Sequence, residues 1–349
     1  MNNSQAPYPP CVGTLSVAIA GLALAFSLTL AHAGELTAYS SAEADNLKVF
    51  GDAFSKAHPD ILVNWVQGST GVIQGRLIAE KEKPVADVVF AHTAANMEAL
   101  AQADILEPYA PPGVERLAGR FVDTRKPPAW IGLYGWASAM CFNTAIAAKD
   151  GLPKPATWED LVQPVFKGKV IMPSPVTSGT GLLMVTGWIQ MWGEEKAWAY
   201  MDKLNANVSR YTTSGSRPCE LAGAGETAVG LSLPARGARI KAGGAPIDVI
   251  VASDGTGWDI QAAGIVRGSK NHADAKTLVD WAVSMPAMEV FGASAEVTAL
   301  RVRVRKPEFL PPNITEKLIR IDFKWLVKEQ GRIIAEWERR YGARIEKKS

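Results

Sequence analysis

Beyond residue 33 the chain alternates short apolar runs with longer stretches in which apolar side chains recur every three to four positions. Residues 35–39 predict a strand, and 42–58 predict a helix with Leu47, Phe50 and Phe54 on one side. A strand over 61–66, a helix over 72–81 and a strand over 87–90 follow. This β-α-β-α-β order predicts a largely parallel sheet that takes its ligand at the carboxyl ends of its strands. Further strands are predicted at 139–143, 169–172, 227–232, 246–252 and 260–266. The unbroken apolar run 182–189 predicts a buried helix, and 194–204 a helix with Trp198 and Met201 toward the core. Thr157 is expected to cap a short helix opening at Trp158. The charged, amphipathic stretches 271–284 and 315–341 predict solvated outer helices.

Three of the predicted helices open on loops of glycine and hydroxyl residues. Gly68-Ser69-Thr70-Gly71 precedes the second helix, Ser178-Gly179-Thr180-Gly181 precedes the apolar run, and Ser214-Gly215-Ser216 precedes Arg217-Pro218. A helix start offers unpaired N–H groups and the positive end of the helix dipole, and glycine lets the backbone approach an anion closely. For any one such loop a capped helix start with no ligand is the more ordinary account. Three of them could converge on one oxyanion if the fold brings them together. Tyr39-Ser40 and the Ser69-Thr70 loop both fall at carboxyl ends of predicted strands.

The first 33 residues read as an export signal. An apolar run over 12–30 exits through Ala31-His32-Ala33, so cleavage after Ala33 is expected, although no Lys or Arg precedes the run. An uncleaved anchor is the competing reading. The remainder is long enough for two lobes. The 37 basic and 35 acidic side chains leave a net charge of +2, which argues against a nucleic-acid partner. Cys141 and Cys219 are left open between a bridge and buried free thiols. There is no zinc-type spacing of His and Cys, no Gly-x-Ser-x-Gly elbow, no Walker A lysine and no Gly-x-Gly-x-x-Gly after the first strand.

A run of words in fixed order then carries a family resemblance: Trp65-Val66 into Ser69-Thr70-Gly71-Val72-Ile73, Ala86-Asp87-Val88-Val89, Phe142-Asn143-Thr144, the Ser178 loop, Gly193-Glu194, Ser214-Gly215-Ser216-Arg217-Pro218 and Gly257-Trp258-Asp259. Over nearly the whole mature chain it resembles the periplasmic 2-aminoethylphosphonate-binding proteins of ABC importers, which are related to the ferric-ion-binding proteins. The resemblance implies an α/β type II fold of two lobes with a cleft between them, lobe 1 taking 34–137 plus 260–349 and lobe 2 taking 138–259. It implies a monomeric, periplasmic, non-enzymatic carrier without a cofactor that delivers a phosphonate to a membrane permease. The iron-binding relatives carry adjacent tyrosines where this chain reads Leu233-Pro234-Ala235-Arg236. Hard ferric iron favours phenolate and carboxylate oxygens, so the missing tyrosines count against it; ferric iron or another oxyanion such as phosphate is the rival reading within the class. A periplasmic phosphorus-ester hydrolase is the rival from another class. The expected ligand-binding residues are Ser69, Thr70 and Gly71 from lobe 1, and Ser178, Gly179, Thr180, Ser214, Gly215 and Ser216 from lobe 2. Tyr39, Ser40, Trp258 and Asp259 are expected at the cleft edge, with the aromatic and carboxylate groups meeting the ligand's ammonium. Glu194 and Glu226 are held in reserve for that role.

Overall fold

The computed structural model describes residues 34–293, 295–303 and 306–346. The expected export signal at 1–33 lies outside the described residues. From Gly34 onward the strands fall into two sheets, each with its own core. In the first the spatial order is Val297–Thr298, Ile131–Ala137, Trp258–Val266, Val88–Thr93, Gly34–Ser40, Ile61–Gln67, and Leu106–Glu107 pairs with Trp258–Val266 off this path. In the second it is Ile247–Ile250, Ala139–Asn143, Val229–Ser232, Val170–Pro173, Val208–Thr212.

The early β-α-β-α-β reading holds where helices connect the strands: Gly34–Ser40 runs parallel to both of its neighbours. It fails in the middle of the sheet, where Trp258–Val266 is antiparallel to the strands on either side. The reason lies in the connection between lobes. Strand Ile131–Ala137 passes into Ala139–Asn143 of the second sheet through Ser138 alone, and the chain returns between Ile250 and Trp258. The returning strand therefore re-enters beside the departing one and opposite in direction. The two crossings are tied side by side, Ser138 Oγ lying 2.8 Å from Thr256 Oγ1. The Ser138 N–H also donates to the Gly257 carbonyl at 3.3 Å.

Each core follows from the periodicity that predicted its elements. Helix Ala44–Ala57 buries Leu47, Phe50 and Phe54 against the first sheet, Phe50 meeting Phe291 edge-on at 4.9 Å. Helix Gly179–Trp192 is buried from Thr180 through Ile189, as its unbroken apolar run requires. Two expectations need correction, and one open choice is decided. The C-terminal helix Phe323–Tyr341 does not stay with the first lobe: Ile333, Trp337 and Tyr341 are buried in the second core, with Trp337 edge-on to Tyr211 at 4.7 Å. A helix read as solvated thus has a buried stripe, and it straps the lobes together. Thr157 does not cap a helix, because the turn Glu159–Val162 is 3-10 and the Asp160 carboxylate accepts from the Ala156 and Thr157 N–H groups, each at 2.8 Å. Cys141 and Cys219, left open by the sequence, are joined as a disulfide with Cα atoms 5.3 Å apart. It pins helix Arg217–Gly223 to strand Ala139–Asn143.

Candidate ligand-binding cleft

The three hydroxyl loops meet. Strand Ile61–Gln67 ends at Gly68, and Ser69 takes the N-cap position of helix Thr70–Ala79 without using its side chain there. Instead Ser69 Oγ donates to the Thr213 carbonyl of the other lobe at 3.0 Å, and the Gly71 N–H donates to the Thr177 carbonyl at 2.9 Å. A Cβ on Gly71 would lie 2.7 Å from the Val176 carbonyl oxygen, so only glycine permits this approach. On the second loop Ser178 caps helix Gly179–Trp192, and a Cβ on Gly179 would reach 2.7 Å from Thr70 Oγ1. On the third loop a Cβ on Gly215 would collide with Thr180 Oγ1 and fall 2.9 Å from Ser178 Oγ. Ser214 and Ser216 hydroxyls lie 3.0 Å apart, and Ser232 Oγ donates to the Gly215 carbonyl at 2.7 Å, fixing the loop from below.

Together they line one side of a cleft between the sheets. Ser69, Thr70, Ser178, Gly179, Thr180, Ser214, Gly215 and Ser216 all line it. Helix starts and hydroxyls facing one volume from both lobes can hold a tetrahedral oxyanion by N–H and O–H donation. Gly71 holds the lobes together with its amide and does not line the cleft. Ser40 is buried just behind, its Oγ accepting from the Ala42 N–H at 3.1 Å.

The residues expected at the amine end lie elsewhere. Tyr39 is fully buried in the first lobe, its hydroxyl 2.9 Å from Glu80 and its ring beneath the Arg76 guanidinium. Burial, with the Glu80 carboxylate beside it, pushes the phenol up to about 12. Trp258 is a core residue that donates from Nε1 to the Ile319 carbonyl at 2.9 Å. Asp259 is buried outside the lining, with Oδ1 accepting from the Ile260 N–H at 2.7 Å, and burial raises its pKa to about 7. Alternation along the strand explains Trp258, which falls on the same face as Ile260, toward the core. The reserve residues are surface charges: Glu194 pairs with Arg332 at 2.7 Å and Glu226 with Arg210 at 3.3 Å.

The opposite wall was not foreseen. It holds Glu43, Asn46, Tyr134, Trp136, Arg236, Arg239, Gln261 and Glu296. Arg236 and Arg239 project from helix Pro234–Ala242 of the second lobe onto the start of helix Ala44–Ala57 in the first. Arg236 pairs with Glu43 and, at 3.1 Å, with Asp45; Arg239 donates to Asn46 Oδ1 at 2.6 Å. Burial and the neighbouring Arg236 charge lower the pKa of Arg239. Ser41 also lines the cleft, positioned 2.9 Å from Nδ1 of His92. Burial pushes His92 down to about 3, so that ring stays neutral. Ser41 and Glu43 sit just past the first strand, where the strand-end rule could have found them. Among the described residues, no group of three or more His, Cys, Asp or Glu side chains is placed to hold a metal ion.

A family model for bacterial extracellular solute-binding proteins matches residues 40–289, which include the whole second sheet, most of the first and the three loops. The chain belongs to that family. This solute-binding protein is 30% identical over 334 residues to an uncharacterized protein of Haemophilus influenzae, covering 93% of this chain and 95% of that one. It superposes with a TM-score of 0.81 on the periplasmic binding protein AfuA of Actinobacillus pleuropneumoniae, solved with exogenous fructose-6-phosphate bound. That match is 29% identical and covers 88% of this chain and 99% of AfuA. A Salmonella typhimurium protein whose name proposes 2-aminoethylphosphonate binding is 28% identical over 183 residues, half of this chain and 49% of that one. The two-lobe architecture is thus the mixed α/β periplasmic-binding-protein fold, and the protein is a solute-binding component of the ABC-importer type. No helix among the described residues is long and apolar enough to cross a membrane.

Proposed function

We propose that this protein captures, in the periplasm, a small organic molecule bearing a phosphate or phosphonate group, and presents it to an ABC permease. The observation that carries this reading is the convergence of three glycine-hydroxyl helix starts, from both lobes, on one cleft. Such a cradle gives many neutral donors to an oxyanion while leaving no lysine to be desolvated. Because donors come from both lobes, the ligand is fully held only when the lobes are together, and binding favours the closed form by that difference in affinity. A permease can then read closure as the sign of a loaded carrier.

Within this class 2-aminoethylphosphonate is the narrower expectation from sequence. The half-length likeness to the Salmonella protein supports it; the position of Tyr39, Trp258 and Asp259 away from the lining does not. Fructose-6-phosphate, bound to AfuA, extends the class to phosphorylated sugars. Ferric iron suits the cleft poorly, since Arg236 and Arg239 line it and would repel a trivalent cation. Calorimetry on protein stripped of ligand by unfolding and refolding tests the reading. Inorganic phosphate, 2-aminoethylphosphonate, fructose-6-phosphate and ferric citrate are titrated in turn, with release of phosphate followed in parallel. Binding of at least one organophosphorus ligand without turnover is expected. Binding of ferric citrate alone, or turnover, would overturn it.

A further inference from the structure

The wall facing the hydroxyl loops contains three buried polar atoms that have no protein partner. Strand Trp258–Val266 places Gln261 opposite Tyr134, and Asp259 opposite Trp136, on strand Ile131–Ala137. On the other side of that strand Val297 pairs with Gly135, so Glu296 falls beside Trp136. Glu296 and Trp136 are thus neighbours across two strands, Gln261 lies one same-face pair further along on the third, and all three line the cleft. Gln261 and Trp136 are 8% and 9% exposed, and Glu296 is partly exposed with Oε2 shut off from solvent. Among the described residues, Gln261 Oε1, Trp136 Nε1 and Glu296 Oε2 have no hydrogen-bond partner. A buried polar atom without a partner is destabilising, and three on one wall of a ligand cleft mark a place that the ligand completes.

Their chemistry is selective. Trp136 Nε1 can only donate, and Gln261 Oε1 can only accept. An ammonium group, which only donates, would leave the indole N–H unsatisfied; a carboxylate, which only accepts, would set its charge against the amide oxygen. A hydroxyl both donates and accepts, and adjacent hydroxyls can serve both atoms at once. Burial keeps Glu296 protonated up to about 8, so it too faces the ligand as a neutral group that donates and accepts.

We infer that Trp136, Gln261 and Glu296 form a specificity subsite for the hydroxyl-bearing end of the ligand, selecting a phosphorylated polyol or sugar over an aminoalkylphosphonate. This rests on the phosphate-cradle reading above, and the two are separable by experiment. Calorimetry on the refolded, ligand-stripped chain compares fructose-6-phosphate, glycerol 3-phosphate, 2-aminoethylphosphonate and inorganic phosphate. At least one of the two hydroxylated phosphates should bind ten-fold or more tighter than both inorganic phosphate and 2-aminoethylphosphonate. In Trp136→Phe and Gln261→Leu, the ratio of the inorganic phosphate to the hydroxylated-phosphate dissociation constant should fall about ten-fold. An unchanged ratio in folded variants, or tighter binding of 2-aminoethylphosphonate by the unaltered chain, would overturn the subsite while leaving the cradle intact. Failure of every phosphorus ligand to bind would instead overturn the cradle and the subsite with it.

Discussion

At the scale of single residues, two carboxyl groups, Asp259 buried and Glu296 partly so, tie stability to pH. Burial raises Asp259 to about 7 and Glu296 to about 8, from 3.8 and 4.5 for free side chains. The folded chain therefore keeps protons that the unfolded chain has released, and stability must fall as pH rises through that interval. Glu296 faces the Lys306 charge, which opposes the shift without cancelling it. Asp259→Asn and Glu296→Gln keep a neutral group in place. Each is expected to flatten the decline of melting temperature between about pH 5 and pH 8, where the unaltered chain titrates. A flat profile for the unaltered protein would show that neither group is held protonated. Glycine supplies a second residue-scale test. Gly71→Ala sets a methyl 2.7 Å from the Val176 carbonyl oxygen, so the lobes must part locally and the interlobe bond from the Gly71 N–H is strained. Loss of such a bond, at about 1 kcal/mol, is expected to weaken ligand binding by about five- to ten-fold in titration.

At the scale of elements, the sequence was most legible where local chemistry and local geometry coincide. Ser69, Ser178 and Ser216 could be placed at helix starts because a strand, a glycine-hydroxyl loop and an apolar helical run follow one another within a few residues. Sequence spacing leaves their convergence open, and the fold supplies it. The facing wall was illegible because Trp136, Gln261 and Glu296 are brought together only by antiparallel pairing between strands far apart in sequence. Nothing near Tyr39 or Trp258 indicates which sheet face meets the cleft, so alternation alone could not tell core from ligand site. The Cys141–Cys219 bridge belongs to the same class: its two elements lie 78 residues apart. Loop closure over that length is worth about 4 kcal/mol in the chain-entropy account. The bridge also anchors the helix that begins just after Ser214–Ser216. Replacing both cysteines with alanine is expected to lower the melting temperature and to weaken ligand binding together. Loss of stability with unchanged affinity would mean that the third loop is held by Ser232 and its neighbours without help from the bridge.

At the scale of the whole molecule, closure depends on contacts that do not involve ligand. Two bonds near the cradle, from Ser69 Oγ and from the Gly71 N–H, and a charged cluster at the facing wall join the lobes. The second group carries charge and is mostly sheltered: the Arg236 side chain is 14% exposed, and Glu43 is 19%. A sheltered pair resists salt screening better than a surface one, and removing one partner leaves the other desolvated and unmatched. Arg236 is therefore expected to act as a latch that lowers the free energy of the closed form before ligand adds its own preference. With Arg236→Ala the equilibrium should move toward open lobes, and the apparent affinity for any ligand that needs the closed cleft falls with the closed fraction. A loss of about 1.4 kcal/mol corresponds to ten-fold weaker binding. Small-angle scattering should show a larger radius of gyration for the ligand-free variant, and saturating ligand should restore that of the unaltered chain. If instead the radius is unchanged while affinity falls, Arg236 acts on the ligand directly from the cleft wall and the latch is disproved.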